Sequence, residues 1–258
     1  MRALLAFVIL IPLTLVGCHF VPAVMQTDQV RYRITISVGT PKGVRTSSGV
    51  WGYSEAPIPR IPFEGGPVWY FSGRTEAEAI PVDIGDGRLV YAVIGKRVMP
   101  QDNGAGMHPA GFRPGFSPLF ILEMARGPMR SNTTIGSSAY ANAHIAWMTS
   151  QTGQPVRLDC TPMLHRNDVS DCPALVTLSD LTARTVTLLD PDDLSADLGK
   201  GYYLIGMTLE VVNAPITHGI TTTLPWAKPG STTDSNGFAP LADRIKSLGF
   251  NRAEPAIE

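Results

Sequence analysis

The chain has 258 residues and a formal charge of −1, so it offers no basic excess for tracking phosphates, and nucleic-acid binding is set aside. Charged residues make up 17% of the chain, against about 25% in ordinary soluble domains, while 25 Gly and 22 Pro enrich it in turn formers. The length suffices to bury a core without a metal, and the composition points to a turn-rich, strand-favouring fold.

The chain opens on Met1-Arg2 and runs apolar from Ala3 to Val16, broken only by Thr14. That run falls short of the roughly 20 apolar residues a bilayer-crossing helix needs, and it fits the core of an export signal. It ends at Leu15-Val16-Gly17-Cys18. This quartet resembles the lipobox of bacterial lipoprotein precursors: a Leu, two small or aliphatic residues, then Cys. The resemblance implies that residues 1–17 are a cleaved signal peptide. It also implies that Cys18 becomes the first residue, with a diacylglycerol on its thiol and an acyl chain on its amine. Two or more acyl chains hold a protein stably on a membrane. His19 stands where enterobacterial sorting would use Asp to retain a lipoprotein in the inner membrane. The resemblance therefore implies a cell-envelope protein on the outer membrane, facing the periplasm. The competing reading is an ordinary cleaved signal with an incidental Cys, but no convincing A-x-A site follows the apolar run.

Cys160 and Cys172 are the other two cysteines. Export places them in an oxidising compartment, where the expected outcome is a structural disulfide. Closing so short a loop contributes about 3 kcal/mol in the chain-entropy model. The alternative is a metal or redox pair, which lacks a C-x-x-C spacing and has only His165 nearby.

Residues 18–29 read as a tether. From Val30 to Val38 the chain alternates, with Val30, Tyr32, Ile34, Ile36 and Val38 on one side and Arg31, Arg33, Thr35 and Ser37 on the other, the pattern of a half-buried strand. Thr40-Pro41-Lys42-Gly43 is a turn, and a second strand is expected over Ser47 to Tyr53. The Pro- and Gly-rich stretch from Glu55 to Gly73 reads as an extended loop, with Trp69-Tyr70-Phe71 folding back over the core or offering a stacking platform. A hairpin is expected from Ala79 to Ile94 around Gly85-Asp86-Gly87-Arg88. In that register Ile84, Val82 and Ile80 oppose Leu89, Tyr91 and Val93, and all six share one face. Pro81 marks an edge strand or a bulge.

Pro100 to Pro118 is a long loop carrying His108, Phe112, Arg113 and Phe116, the candidate contact surface. Leu119–Ala125 suits strand or helix. Ser137–Thr149 fits both periods and is assigned to helix for its alanines. Strands are expected at Ala174–Leu178, Thr185–Leu189 and Tyr202–Val212. Between the last two a short helix starts with Asp190 as cap and Pro191 at its first position, and closes at Gly199. Pro225 to Gly237 is a linker, and Pro240–Leu248 is an amphipathic helix with Leu241, Ile245 and Leu248 on one side.

Two stretches resemble a family of proteobacterial envelope proteins of unknown activity. The first runs from Tyr32-Arg33-Ile34-Thr35 through Thr40-Pro41-Lys42-Gly43-Val44-Arg45-Thr46 to the Ala79–Ile94 hairpin. The second runs from Pro173-Ala174-Leu175-Val176-Thr177 through Asp190-Pro191-Asp192-Asp193-Leu194 to Leu224-Pro225-Trp226. This resemblance supports the element boundaries and implies no chemistry.

No H-E-x-x-H, G-x-S-x-G or P-loop pattern occurs, and no cofactor or metal is called for. The expected fold is mainly β (α+β), with antiparallel sheets, hairpins and a few short helices. It forms a single domain over residues 30–226, followed by a linker and helix over 227–258. The expected function is a membrane-tethered, non-catalytic module that binds an envelope protein or a glycan. The rival is a periplasmic hydrolase that assembles His108 or His144 with a Ser in space.

Overall fold

The computed structural model describes residues 29–58, 70–98, 101–102, 107–108, 111–114, 118–130, 138–160, 169–178 and 186–218. The expected signal peptide, Cys18, the tether as far as residue 28, the last part of the expected domain from residue 219, the C-terminal linker and the C-terminal helix lie outside these residues.

The chain folds mainly as antiparallel β-sheet with three short helices among the described residues. β1 (Val30–Thr40) turns at Pro41-Lys42 into β2 (Gly43–Ile58), and β3 (Tyr70–Glu76) pairs back along the far part of β2. β4 (Ile80–Gly85) and β5 (Arg88–Val98) form the Asp86-Gly87 hairpin. The short strands β6 (Gln101–Asp102), β7 (Met107–His108) and β8 (Gly111–Pro114) follow. Next come helices α1 (Pro118–Arg126) and α2 (Ser138–Ser150), then β9 (Val156–Arg157), β10 (Val169–Leu178) and β11 (Val186–Leu188). Helix α3 (Leu194–Leu198) and β12 (Tyr203–Val211) complete the described elements.

The first sheet has the order β3-β2-β1-β12-β9; the second has the order β11-β10-β5-β4, with β8 also pairing with β5. The alternation read from Val30 to Val38 holds: those five side chains are all buried, and they meet Trp51 and Tyr53 of β2 and Met207, Leu209 and Val211 of β12 on the same face. Ile80, Val82 and Ile84 of the second sheet join them in one core. The sheets come into close contact at Gly49, where an added Cβ would lie 2.7 Å from Ile80 Cγ1. The indole Nε1 of fully buried Trp51 donates to the Glu78 carbonyl at 2.9 Å.

Four expectations are corrected. The hairpin register is one. Val82 pairs with Val90 and Ile80 with Ala92, and a bulge between Asp83 and Gly85 leaves Ile84 as the extra residue. Asp86 and Gly87 have φ of 56° and 72°, the two-residue turn that Asp-Gly favours, and Asp83 Oδ1 accepts from Gly85 N at 2.8 Å beside it. One inserted residue reverses which side chains face inward. Val90, Ala92 and Ile94 therefore enter the main core, while Tyr91 and Val93 turn to the opposite face and cluster with Ala79, Ala174, Val176 and Val186. Pro81 does sit on the edge strand.

The second correction is in the Glu55–Gly73 stretch: β2 continues to Ile58 and β3 begins at Tyr70, so both ends are strand, because sheet pairing overrides the Pro and Gly content. The third is the Pro100–Pro118 loop, which contains β6, β7 and β8. The fourth is the α3 cap. Asp193 accepts from Ala196 N at 3.2 Å, while Asp190 Oδ1 accepts from Asp192 N at 3.0 Å in the turn before the helix. The two stretches with ambiguous period are helical over Pro118–Arg126 and Ser138–Ser150, and the buried residues of α2 include Ala141, His144, Ile145 and Met148, a helical stripe.

Candidate functional site

One group of titratable side chains comes together in the core. β2 carries Trp51, Tyr53 and Glu55 on its inward face, since alternate residues share a side. Helix α2 packs against β2 and β1 and brings His144 to the same place. Glu55 is 2% exposed. Its Oε1 accepts the Tyr53 hydroxyl at 3.0 Å, and its Oε2 lies 3.1 Å from His144 Nδ1. A carboxylate in its ionised form only accepts, and against that form Nδ1 is the atom that carries the hydrogen. Tyr140, one helical turn before His144, lies against the imidazole with ring centroids 4.4 Å apart.

A carboxylate on Nδ1 is the arrangement that orients a catalytic imidazole and settles its tautomer. The same three residues also form a satisfied polar clamp between a helix and a sheet. Ser54, buried beside Glu55 in sequence, points to the opposite face of β2 and cannot be the Ser of such a site.

The other candidates are dispersed. Cys160 and Cys172 form the expected disulfide, with Cα atoms 4.9 Å apart. His108 lies in β7, Phe112 and Arg113 lie in β8 opposite Arg97 and Lys96 of β5, and Phe116 lies outside the described residues. Cys18, His19 and His165 also lie outside them. His218 Nδ1 is 3.5 Å from Glu78 Oε1. Beside the disulfide, a groove of about 410 Å³ is lined by Arg157, Asp159, Pro191, Asp192 and Ile205 among others. Among the described residues no group of three His, Cys, Asp or Glu could hold a metal ion, and no helix is long and apolar enough to cross a membrane.

Sequence reasoning missed Glu55 and Tyr53. The signal was present: Trp51, Tyr53 and Glu55 continue the alternation of the second strand, which places a carboxylate on an apolar face. No protein-family model, curated protein or solved structure matches the chain.

Proposed function

We propose that this chain is a bacterial envelope lipoprotein held to a membrane through Cys18, with a β-rich body over residues 30–226 that binds or scaffolds another envelope component without chemistry of its own. The outer membrane, facing the periplasm, is the location that His19 favours. The Cys160–Cys172 disulfide carries this reading, because such bonds form in the oxidising compartments that an exported protein reaches. Burial of the Glu55–His144–Tyr53 cluster beneath α2 supports a structural use of the one acid–base group described above.

The test has two parts. Mass analysis of protein purified from membranes should find an acylated Cys18 at the N-terminus, and Cys18→Ser should abolish both processing and membrane retention. Cross-linking in intact cells should then capture a discrete envelope protein or glycan strand. An intact Met1, or a capture that is empty while a small ester or amide is turned over, overturns the reading.

A second reading, a periplasmic hydrolase, is favoured by the Glu55 carboxylate on Nδ1 of His144. It requires turnover of an ester or amide that is lost in both His144→Ala and Glu55→Gln.

A further inference from the structure

Both faces of the second sheet hold buried apolar side chains. The inward face meets the first sheet across the main core. The outward face carries Ala79, Val93 and Ala174 in one row and Tyr91 and Val176 in the next. Tyr91 is 1% exposed and Val176 0%. An antiparallel sheet that backs onto a core on one side commonly meets water on the other, so side chains this deep need a further layer above them. Among the described residues, every member of the outward cluster belongs to this sheet or, like Ala79, directly adjoins it. The described helices make their main contacts elsewhere, with β1, β2, β12 and one another.

The burial has a direction. It is deepest in the rows nearest Ala79 and fades toward the β4–β5 turn, where Asp83 is exposed and Leu89 and Leu178 are half-buried. The chain leaves the described fold at the Ala79 end. Thr217 N donates to Val50 O at 2.9 Å, and Val50 N donates to Thr217 Oγ1 at 2.8 Å. His218 Nδ1 then lies 3.5 Å from Oε1 of Glu78, the residue before Ala79. Gln29, at the other end of the described chain, lies over Gly52 on the outward face of the first sheet, where its Nε2 donates to Glu76 at 3.1 Å. Beyond His218, residues 219–227 carry no charge and include Ile220, Leu224 and Trp226. Such a stretch is buried without stranding a charge. Ala79 and Ala174 are small, which leaves depth for an indole ring in a close-packed layer. Four strands spaced by about 4.8 Å make a face roughly 14 Å wide, and eight extended residues reach at most roughly 29 Å.

We infer that residues 219–226 cross the outward face of the second sheet as a third layer, with Leu224 and Trp226 over Ala79, Tyr91 and Val176. The face is thereby closed to an outside partner, and contact with an envelope component falls to other surfaces. The packing is the same whether or not Cys18 carries lipid.

The test uses the full chain as cells process it, with the photoreactive residue p-benzoylphenylalanine in place of Trp226 in one form and of Tyr91 in another. Illumination followed by peptide mapping should join position 226 to β5 or β10 of the same chain, and position 91 to a peptide from 219–226. The same probe in place of Leu241 should reach neither strand. Leu224→Ala with Trp226→Ala should uncover the face, seen as a gain in fluorescence of the apolar-surface dye ANS and a lower urea midpoint. Leu241→Ala with Ile245→Ala should change neither. Should the Tyr91 form fail to fold, the Trp226 form and the alanine pair decide the matter alone. Failure of position 226 to reach β5 or β10 overturns the inference, as does a dye signal that the Leu224 and Trp226 substitutions leave unchanged. So do adducts that join two copies of the chain, and adducts from position 91 to residues 1–28 in place of 219–226.

Discussion

His144→Ala is the substitution most informative about the core. Glu55 is 2% exposed, and the His144 side chain is 8% exposed. Removing the imidazole leaves the carboxylate with the Tyr53 hydroxyl but without its Nδ1 partner, and opens a cavity beneath α2. A hydrogen bond to a charged group contributes about 1.5–3 kcal/mol, and breaking a buried ion-paired group by deleting one partner costs about 3–5 kcal/mol. We expect His144→Ala to destabilise the fold by about 3–4 kcal/mol, a large part of the roughly 5–15 kcal/mol total of a typical domain. Glu55→Gln still accepts the Tyr53 hydroxyl and should cost about 1–2 kcal/mol. The double variant Glu55→Leu/His144→Leu removes both polar groups together, leaves no orphaned charge, and should lie within about 1–2 kcal/mol of the parent. Urea unfolding, followed by the fluorescence of the buried Trp51, gives the three midpoints, and unchanged m-values certify the comparison. A loss below about 1 kcal/mol for His144→Ala, or Leu substitutions whose effects simply add, would refute the claim that the pair is a coupled clamp.

Reducing the Cys160–Cys172 bond, or replacing both residues by Ser, should lower stability by about 3 kcal/mol, visible as a lower urea midpoint without loss of sheet content by circular dichroism. Burial raises the Tyr91 phenol to about 12 and lifts that of Tyr32 well above its ordinary value, against an opposing pull from a hydrogen bond with Thr75. The folded chain holds these protons more tightly than the unfolded one. The contribution of Tyr91 is therefore whole below about pH 10 and is lost as pH climbs through about 12, and that of Tyr32 is likewise lost only above the ordinary phenol range, so phenolate absorbance should show a delayed phase that coincides with unfolding. An alkaline titration with a single phase near 10 would contradict it. Gly49→Val places branched atoms where even a Cβ would sit 2.7 Å from Ile80, and should cost about 1–3 kcal/mol, partly recovered by Ile80→Ala in a double-mutant cycle.

The legible parts of the fold are those where one period runs without interruption. β1 is the plainest case, since Val30 to Val38 alternates and every apolar member is buried. Helix α2 was ambiguous because Tyr140, His144 and Trp147 fit one period and Ala141, Ala143 and Ile145 the other; the buried stripe follows Ala141, His144, Ile145 and Met148, a mixture that neither reading isolates. The candidate site was half legible. His144 was singled out as an imidazole, whereas its partner Glu55 was assigned to a loop because the prolines that follow it carry a strong breaker signal. That signal is local, and β2 pairs through Pro57 with β3, a decision made by chain remote in sequence.

Alternation fails for one reason at the bulge at Ile84, between Asp83 and Gly85, and at the bulge at Ile205, where Ser37 pairs with Gly206 but Val38 with Leu204. A period of two carries no information about phase once a residue is inserted, so everything beyond the insertion exchanges faces. At Ile84 the exchange moves Tyr91 out of the core formed with the first sheet and puts Ala92 in its place. The smaller residue suits a layer that already holds Trp51, Tyr32 and Tyr53. At Ile205 the exchange turns Tyr203 out onto Gly39 and sends Leu204 toward the core. In both places a tyrosine leaves the shared core and an aliphatic residue replaces it. The phenol of Tyr203 is thereby spared the cost of burial away from water. A sequence read for period alone sees two tyrosines in phase with their strands. The fold places both by inserting one residue beside each.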